Sequence, residues 1–214
     1  MSPLRTGHTT LIATILAFAV FVPLFATGGI GSFDFWWWMS TNAVLMLAYS
    51  ALSDREWRLG IADDLKDRLL FKLGVGLVSA AFLYLVFYCG NELVRAVLSS
   101  AGGDIANVYN YKSGSSPLRV GLLIGLLIGP AEELFWRAFL QRRLEASYGK
   151  WAGLALATAA YTGMHLASLN PMLVLAAAVC GVFWGLLYLR LRSIWLNVVS
   201  HVAWDLAVFL FFPF

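Results

Sequence analysis

The chain has 214 residues, of which 60% are hydrophobic and only 13% charged. Soluble domains carry about a quarter charged residues, so a water-covered globule, a disordered chain, a coiled coil and a nucleic-acid binder are all excluded. The net charge of +3 comes from basic residues that are sorted by position along the chain, and what they describe is an integral membrane protein.

A helix needs about 20 apolar residues to cross the hydrocarbon core. Runs of that kind lie at 10–27, 34–52, 71–90, 118–141, 151–168, 172–189 and 194–212, so the expected fold is an all-α, polytopic transmembrane helical bundle of about seven spans. The first run follows Arg5 and ends at Ala26-Thr27-Gly28, as a signal peptide would, but it is long for that role and is read as a retained span. Trp36, Trp37 and Trp38 at the start of the second run read as an interfacial aromatic belt. Between the second and third runs, Trp57, Ile61, Leu65 and Leu69 recur every four residues among charges. This is the pattern of an amphipathic helix lying on the cytoplasmic face. Segment 91–117, with Gly102-Gly103 and Ser113-Gly114-Ser115-Ser116, reads as an outer loop. Cys89 and Cys180 sit in apolar runs and read as small hydrophobes. The chain is one integral domain, 1–214, with N-terminal and interfacial helices in 1–116 and a motif-bearing core in 117–214.

Orientation follows from the basic residues between spans. Eleven fall on one side (Arg5; Arg55, Arg58, Lys66, Arg68 and Lys72; Arg142, Arg143 and Lys150; Arg190 and Arg192). Three fall on the other, namely Arg95, Lys112 and Arg119, while Arg137 lies within a span. The expected topology is therefore N-terminus in the cytoplasm and C-terminus outside.

Charged groups cost about 2.5–3.5 kcal/mol each at a helix centre on insertion scales, so those kept there point to function. All of them lie in the second half: Glu132, Glu133 and Arg137 in the fourth run, His165 in the fifth, His201 and Asp205 in the seventh. At about 1.5 Å per residue, Glu132 lies roughly 15 Å from the cytoplasmic boundary, His165 about 21 Å, and His201 and Asp205 about 11 and 17 Å. These depths converge near the bilayer middle. Glu133 and Arg137 stand at i and i+4, in the order that pairs along one face, and Glu132 is offset from them by about 100°. His201 and Asp205 share a face by the same spacing. Gly121, Gly125 and Gly129 form a ladder that admits a neighbouring helix closely, and Pro130 loosens the backbone beside the acids.

A carboxylate beside an imidazole in a dry pocket is a general-base arrangement, and a second donor such as His201 can meet an oxyanion. There is no Gly-x-Ser-x-Gly and no His-Glu-x-x-His, which disfavours a serine nucleophile and a zincin. Hydrolysis by an activated water remains. Two histidines and two acids can also bind zinc, which stays open as the alternative to a cofactor-free site.

Glu132-Glu133-Leu134-Phe135-Trp136-Arg137 resembles the Glu-Glu-x-x-x-Arg signature of the CAAX-protease and bacteriocin-processing (CPBP) family of glutamate-dependent intramembrane proteases. Tyr161-Thr162-Gly163-Met164-His165 resembles that family's Phe-x-x-x-His motif, and His201-Val202-Ala203-Trp204-Asp205 its His-x-x-x-Asn/Asp motif. The resemblance covers residues 117–214. It implies that Glu132 with His165 activates the attacking water, that His201 and residue 205 hold the oxyanion, and that Glu133 and Arg137 orient the site. It implies no metal. The implied substrate is a membrane-associated protein or peptide: a prenylated CAAX-type C-terminus, a bacteriocin leader or a C-terminal sorting tail. Tyr161 departs from Phe, and Asp205 stands where prenyl-protein proteases carry Asn. An ionised Asp accepts hydrogen bonds only, so it holds an oxyanion only if protonated, and otherwise orients His201 or ligates a metal. The expected setting is the multi-pass lipid bilayer of a prokaryotic plasma membrane. Two rival readings are a non-catalytic immunity or scaffold protein of the same fold and a small proton-coupled transporter. The transporter is disfavoured because no half of the chain repeats.

Overall fold

The computed structural model describes residues 3–214, with side chains from Gly7 onward. The side chain of Arg5, counted above among the cytoplasmic charges, lies outside the described residues. Of the described residues, 88% are helical. Helix α1 (Pro3–Thr27) ends where Gly28, at φ +72°, donates its N–H to the Leu24 carbonyl, a left-handed cap that suits glycine. A two-residue hairpin, β1 (Gly29–Ile30) against β2 (Phe33–Asp34), turns the chain into α2 (Phe35–Ser53). Asp34 caps α2 through the N–H groups of Trp36 and Trp37 and also binds Arg119. Burial works to raise the Asp34 carboxyl, but the backbone donor and Arg119 outweigh it and hold it below the usual range.

The amphipathic segment is a helix, α3 (Arg55–Lys66), capped by Asp54. Its apolar stripe is shorter than the four-residue spacing suggests. Arg68 turns left-handed at φ 40°, and Leu69 begins the next helix instead of extending α3. The face that carries Trp57 and Ile61 packs on protein. The Trp57 indole N–H donates to the Leu134 carbonyl at 3.1 Å, and the Ile61 carbonyl accepts from the Trp195 indole at 2.9 Å. Leu59 and Leu65 remain exposed.

Helix α4 (Leu69–Val97) runs for 29 residues. Part of the segment expected as an outer loop folds as α5 (Ala101–Tyr109) followed by a 3-10 turn, Asn110–Lys112. Tertiary contact overrides the weak helix propensity of Gly102-Gly103 there, with Ala101 buried and the Asp104 carbonyl accepting from Asn170 Nδ2 at 2.7 Å.

Residues 117–148 form one helical path, α6, whose hydrogen-bond register changes repeatedly. It is α-helical at Pro117–Leu123, π-helical at Ile124–Ile128, α-helical again at Gly129–Glu133, π-helical at Leu134–Gln141, and α-helical at Arg142–Tyr148. The π turns flank Pro130, whose missing N–H cannot continue the ladder, so the loosening expected there is spread over two bulges. Helices α7 (Lys150–His165), α8 (Pro171–Leu191) and α9 (Ile194–Leu206, continued by a π turn at Ala207–Phe211) complete the bundle.

Among the described residues, four helices are long and apolar enough to cross a membrane: Gly7–Thr27, Leu69–Val97, Pro171–Leu191 and Ile194–Phe211. The other three expected spans are helices at the expected places, but they differ in kind. α2 carries Ser40, Asn42 and Ser50 in its buried face, α6 holds Glu132 and Glu133 between its π turns and Arg137 within the second, and α7 has 16 residues. Trp36 does not belong to an aromatic belt. It is buried against Phe209 and Phe35, whereas Trp37 is exposed.

The glycine ladder of α6 faces α9. A Cβ at Gly129 would stand 2.8 Å from Val202 Cγ2, and one at Gly121 2.9 Å from Leu210 Cδ1. This close approach brings the α6 acids against the α9 histidine. At the α3 end of the bundle, Arg142 and Arg143 converge on Asp54 at 2.6 and 3.0 Å. Burial again works to raise the Asp54 carboxyl. The Trp57 N–H and the two guanidiniums prevail and hold it below its ordinary value.

Candidate active site

Glu132, Glu133, Arg137, His165, His201 and Asp205 are all buried. Five of them form one cluster. The Glu133 carboxylate, fully buried, pairs with Arg137 at 3.0 Å and accepts from His201 Nδ1 at 2.8 Å, both through Oε1. The other ring nitrogen, His201 Nε2, faces Glu132 Oε2 at 3.6 Å and Asp205 Oδ2 at 3.4 Å. His201 therefore meets three carboxylates, with the closest on Nδ1. Because a carboxylate only accepts, Nδ1 carries the hydrogen.

Among the described residues, Glu132 Oε1 is buried and has no hydrogen-bond partner. Among polar groups this is the costly condition, and it marks the oxygen that a water or substrate proton would satisfy.

His165 stands apart from the cluster. Its Nδ1 is 2.8 Å from the Tyr161 carbonyl, which can only accept, so Nδ1 is the donor and Nε2 of the neutral ring keeps its lone pair. Phe25 and Tyr161 hold the ring, at centroid distances of 4.2 and 5.0 Å. His165 shares a cavity of about 320 Å³ with Glu132, His201 and Asp205, whose remaining walls are mostly apolar and aromatic. All four lie on its surface, whereas Glu133 and Arg137 sit behind it.

Two supporting side chains, Asn197 and Trp184, escaped the sequence reading. Asn197, fully buried, donates from Nδ2 to Glu133 Oε2 at 3.0 Å and to the Trp184 carbonyl at 2.8 Å. The Trp184 ring stacks on His201 with centroids 3.7 Å apart, and its indole N–H donates to Ser200 Oγ at 3.2 Å. Tyr161 and Trp184 both present ring faces to the Arg137 guanidinium, at 4.9 and 5.5 Å. Asn197, His201 and Asp205 recur every four residues, so the spacing that flagged the last two also points to the first. Trp184 lies on a different helix, and no spacing announces it.

No group of three or more His, Cys, Asp or Glu side chains arranged to hold a metal ion is found among the described residues. His201 Nδ1 is taken by Glu133, which leaves one ring nitrogen toward the cavity.

The fold and site define a helical membrane protein with a buried carboxylate–imidazole centre. Residues 114–207 match the family model of the type II CAAX prenyl endopeptidases, Rce1-like, which lies within the CPBP family named by the motifs. The matched stretch holds all six candidate residues. The family is one of proteases, which supports peptidase activity on a membrane-associated protein in general terms. No curated protein and no solved structure matches the chain.

Proposed function

We propose that this protein is an intramembrane endopeptidase that hydrolyses a peptide bond of a membrane-associated protein or peptide with a water activated by Glu132 and His165. The observation that carries this reading is the shared cavity: Glu132, His165, His201 and Asp205 line it together, and Glu132 presents an oxygen with no partner. In the proposed reaction Glu132 takes a proton from water, while His165 Nε2 accepts the second water hydrogen as a hydrogen bond. The water oxygen bonds to the substrate carbonyl carbon. The carbonyl oxygen becomes an oxyanion and receives a hydrogen bond from His201 Nε2, donated by the doubly protonated ring, while Glu133 accepts from Nδ1. The C–N bond then breaks, and the proton held by Glu132 passes to the leaving amine. Glu133, Arg137 and Asn197 hold the imidazole, and Asp205 bounds the oxyanion space beside it.

Purified wild-type protein in detergent or vesicles, incubated with a panel of membrane-associated peptides that includes prenylated C-terminal sequences, is expected to cleave at least one of them. Glu132→Ala is expected to lose at least 100-fold, the lower end of what general-base catalysis contributes. Equal cleavage by both proteins would remove Glu132 from the mechanism. Activity retained after exhaustive chelation separates this mechanism from a zinc-dependent variant.

A further inference from the structure

The two ends of the bundle differ in charge and in access to the site. At the end marked by α3 lie Arg55, Arg58, Lys66, Arg68 and Lys72, together with Arg142, Arg143, Lys150, Arg190 and Arg192. That end is closed by bonds between helices. Asp54 binds Arg142 and Arg143, the Trp57 indole binds the Leu134 carbonyl, and Gln141 Nε2 donates to the Gly185 carbonyl at 2.9 Å. Glu145 pairs with Arg192 at 2.6 Å. These contacts form a floor under the acids of α6.

The cavity runs the other way. Beyond Glu132 and His201 its walls are Phe87, Asn91 and Val94 from the far half of α4, Ile105 and Tyr109 from α5, and Met172 from the start of α8. A second crevice, of about 510 Å³ and polar, opens at this same end, lined among others by Asp34, Asp104, Asn107, Asn110 and Asn170. Phe35 and Tyr111, stacked with centroids 4.3 Å apart, line both spaces and stand between them. Among the described residues, the basic side chains of this end are Arg95, Lys112 and Arg119 alone, engaged locally with Asn91, the Phe209 carbonyl and Asp34 respectively. Basic residues collect on the cytoplasmic side of a membrane protein, so the closed end is cytoplasmic and the open end is not.

Resting on the peptidase reading above, we propose that the site takes its substrate from the non-cytoplasmic side. That substrate is an extended polypeptide segment exposed at that face, polar where it crosses the crevice and carrying a bulky apolar side chain beside the bond to be cleaved. The crevice supplies amide and carboxylate partners for the peptide. The apolar cavity, at the small end of the size range of ligand pockets, takes the side chain and excludes water from its surroundings. The Phe35–Tyr111 pair marks the threshold between them.

The test uses single cysteines in the full-length chain with Cys89→Ser and Cys180→Ala. Should that background fail to fold, Cys89→Ser alone serves, with the same chain lacking the introduced cysteine as the control for Cys180, which is buried but lines the cavity. Asn107→Cys reports on the crevice and Asp63→Cys on the exposed face of α3. With a bulky, membrane-impermeant maleimide applied to intact spheroplasts, Asn107→Cys is expected to label directly, and Asp63→Cys only after permeabilisation. The reverse pattern overturns the proposal. In proteoliposomes, maleimide on Asn107→Cys is expected to lower peptide cleavage at least tenfold relative to the untreated variant, and unaltered cleavage would refute the crevice route. If labelling follows the expected pattern while the wild-type chain cleaves no peptide, the peptidase reading fails and the assignment of the open side stands.

Discussion

His201 Nδ1 lies 2.8 Å from Glu133 Oε1, and this bond fixes which edge of the imidazole faces the cavity. Glu133 is itself fixed from two other sides, by Arg137 on the same oxygen and by Asn197 on Oε2. Glu133→Gln leaves the Arg137 guanidinium, with 3% of its side chain exposed, without a counter-charge. Removing one partner of a buried ion pair costs about 3–5 kcal/mol. Asn197→Ala removes two neutral-donor bonds and leaves acceptors unmet, a cost of about 1–3 kcal/mol. Thermal unfolding in detergent is therefore expected to rank Glu133→Gln below Asn197→Ala, with both below wild type and both impaired in cleavage. Wild-type stability in Glu133→Gln would contradict the ion-pair account.

Asp205 provides a second test of how His201 is used. An ionised Asp beside Nε2 accepts, whereas Asn at the same position also donates. If His201 donates to the oxyanion, Asp205→Asn keeps a polar neighbour of the same shape and adds a donor, so cleavage is expected to stay within tenfold of wild type. Asp205→Ala removes the partner 3.4 Å from Nε2 and is expected to lose more than tenfold. A loss in Asp205→Asn as deep as in Asp205→Ala would show that the negative charge itself is required.

The parts of this architecture that were legible in the sequence are those written at helical spacing within one segment. Glu133 with Arg137 and His201 with Asp205 announce shared faces four residues apart, and both pairs meet. The glycine ladder on α6 likewise declares a close neighbour, which proves to be α9. Contacts between segments left no such trace. Trp184 reaches His201 from α8, and Trp36 turns inward to Phe209, although three consecutive tryptophans at a span end fit an interfacial belt. The pairing of Glu132 with His165 came from family resemblance. In space the Glu132 carboxylate is nearer His201, and His165 reaches it only across the cavity they share. Helix α5 was illegible for another reason, since its glycines argue against a helix and only packing against α8 explains it.

Asp54 makes stability depend on acid. Its carboxyl is held below the ordinary value near 3.8, so in the folded state it stays ionised to lower pH than in the unfolded chain. The stabilisation is fully present above that ordinary value and is lost as pH falls through the lower folded value. Melting temperature is expected to decline below about pH 4. Asp54→Asn is expected to be less stable than wild type at neutral pH and to show a shallower decline in acid. Parallel pH curves for the two proteins would place the acid sensitivity elsewhere.

The approach of α6 to α9 can be tested through two glycines one turn apart. A Cβ at Gly125 finds its nearest neighbour, Val202 Cγ1, at 3.9 Å, an ordinary contact, while at Gly129 it meets Val202 Cγ2 at 2.8 Å and the Ile124 carbonyl oxygen at 3.1 Å. Alanine is favoured over glycine in a helix by up to about 1 kcal/mol. At Gly125 that term stands alone, and Gly125→Ala is expected to be neutral or slightly stabilising. At Gly129 the overlap, worth about 1–3 kcal/mol for an overpacked core, exceeds it, so Gly129→Ala is expected to lower stability and to weaken cleavage by moving Glu132 away from His201. Val202→Ala removes the overlapping methyl, and the double variant is expected to be more stable than the sum of the two single losses predicts. Strict additivity, read from thermal unfolding of all four proteins, would mean that the two helices do not meet at this point.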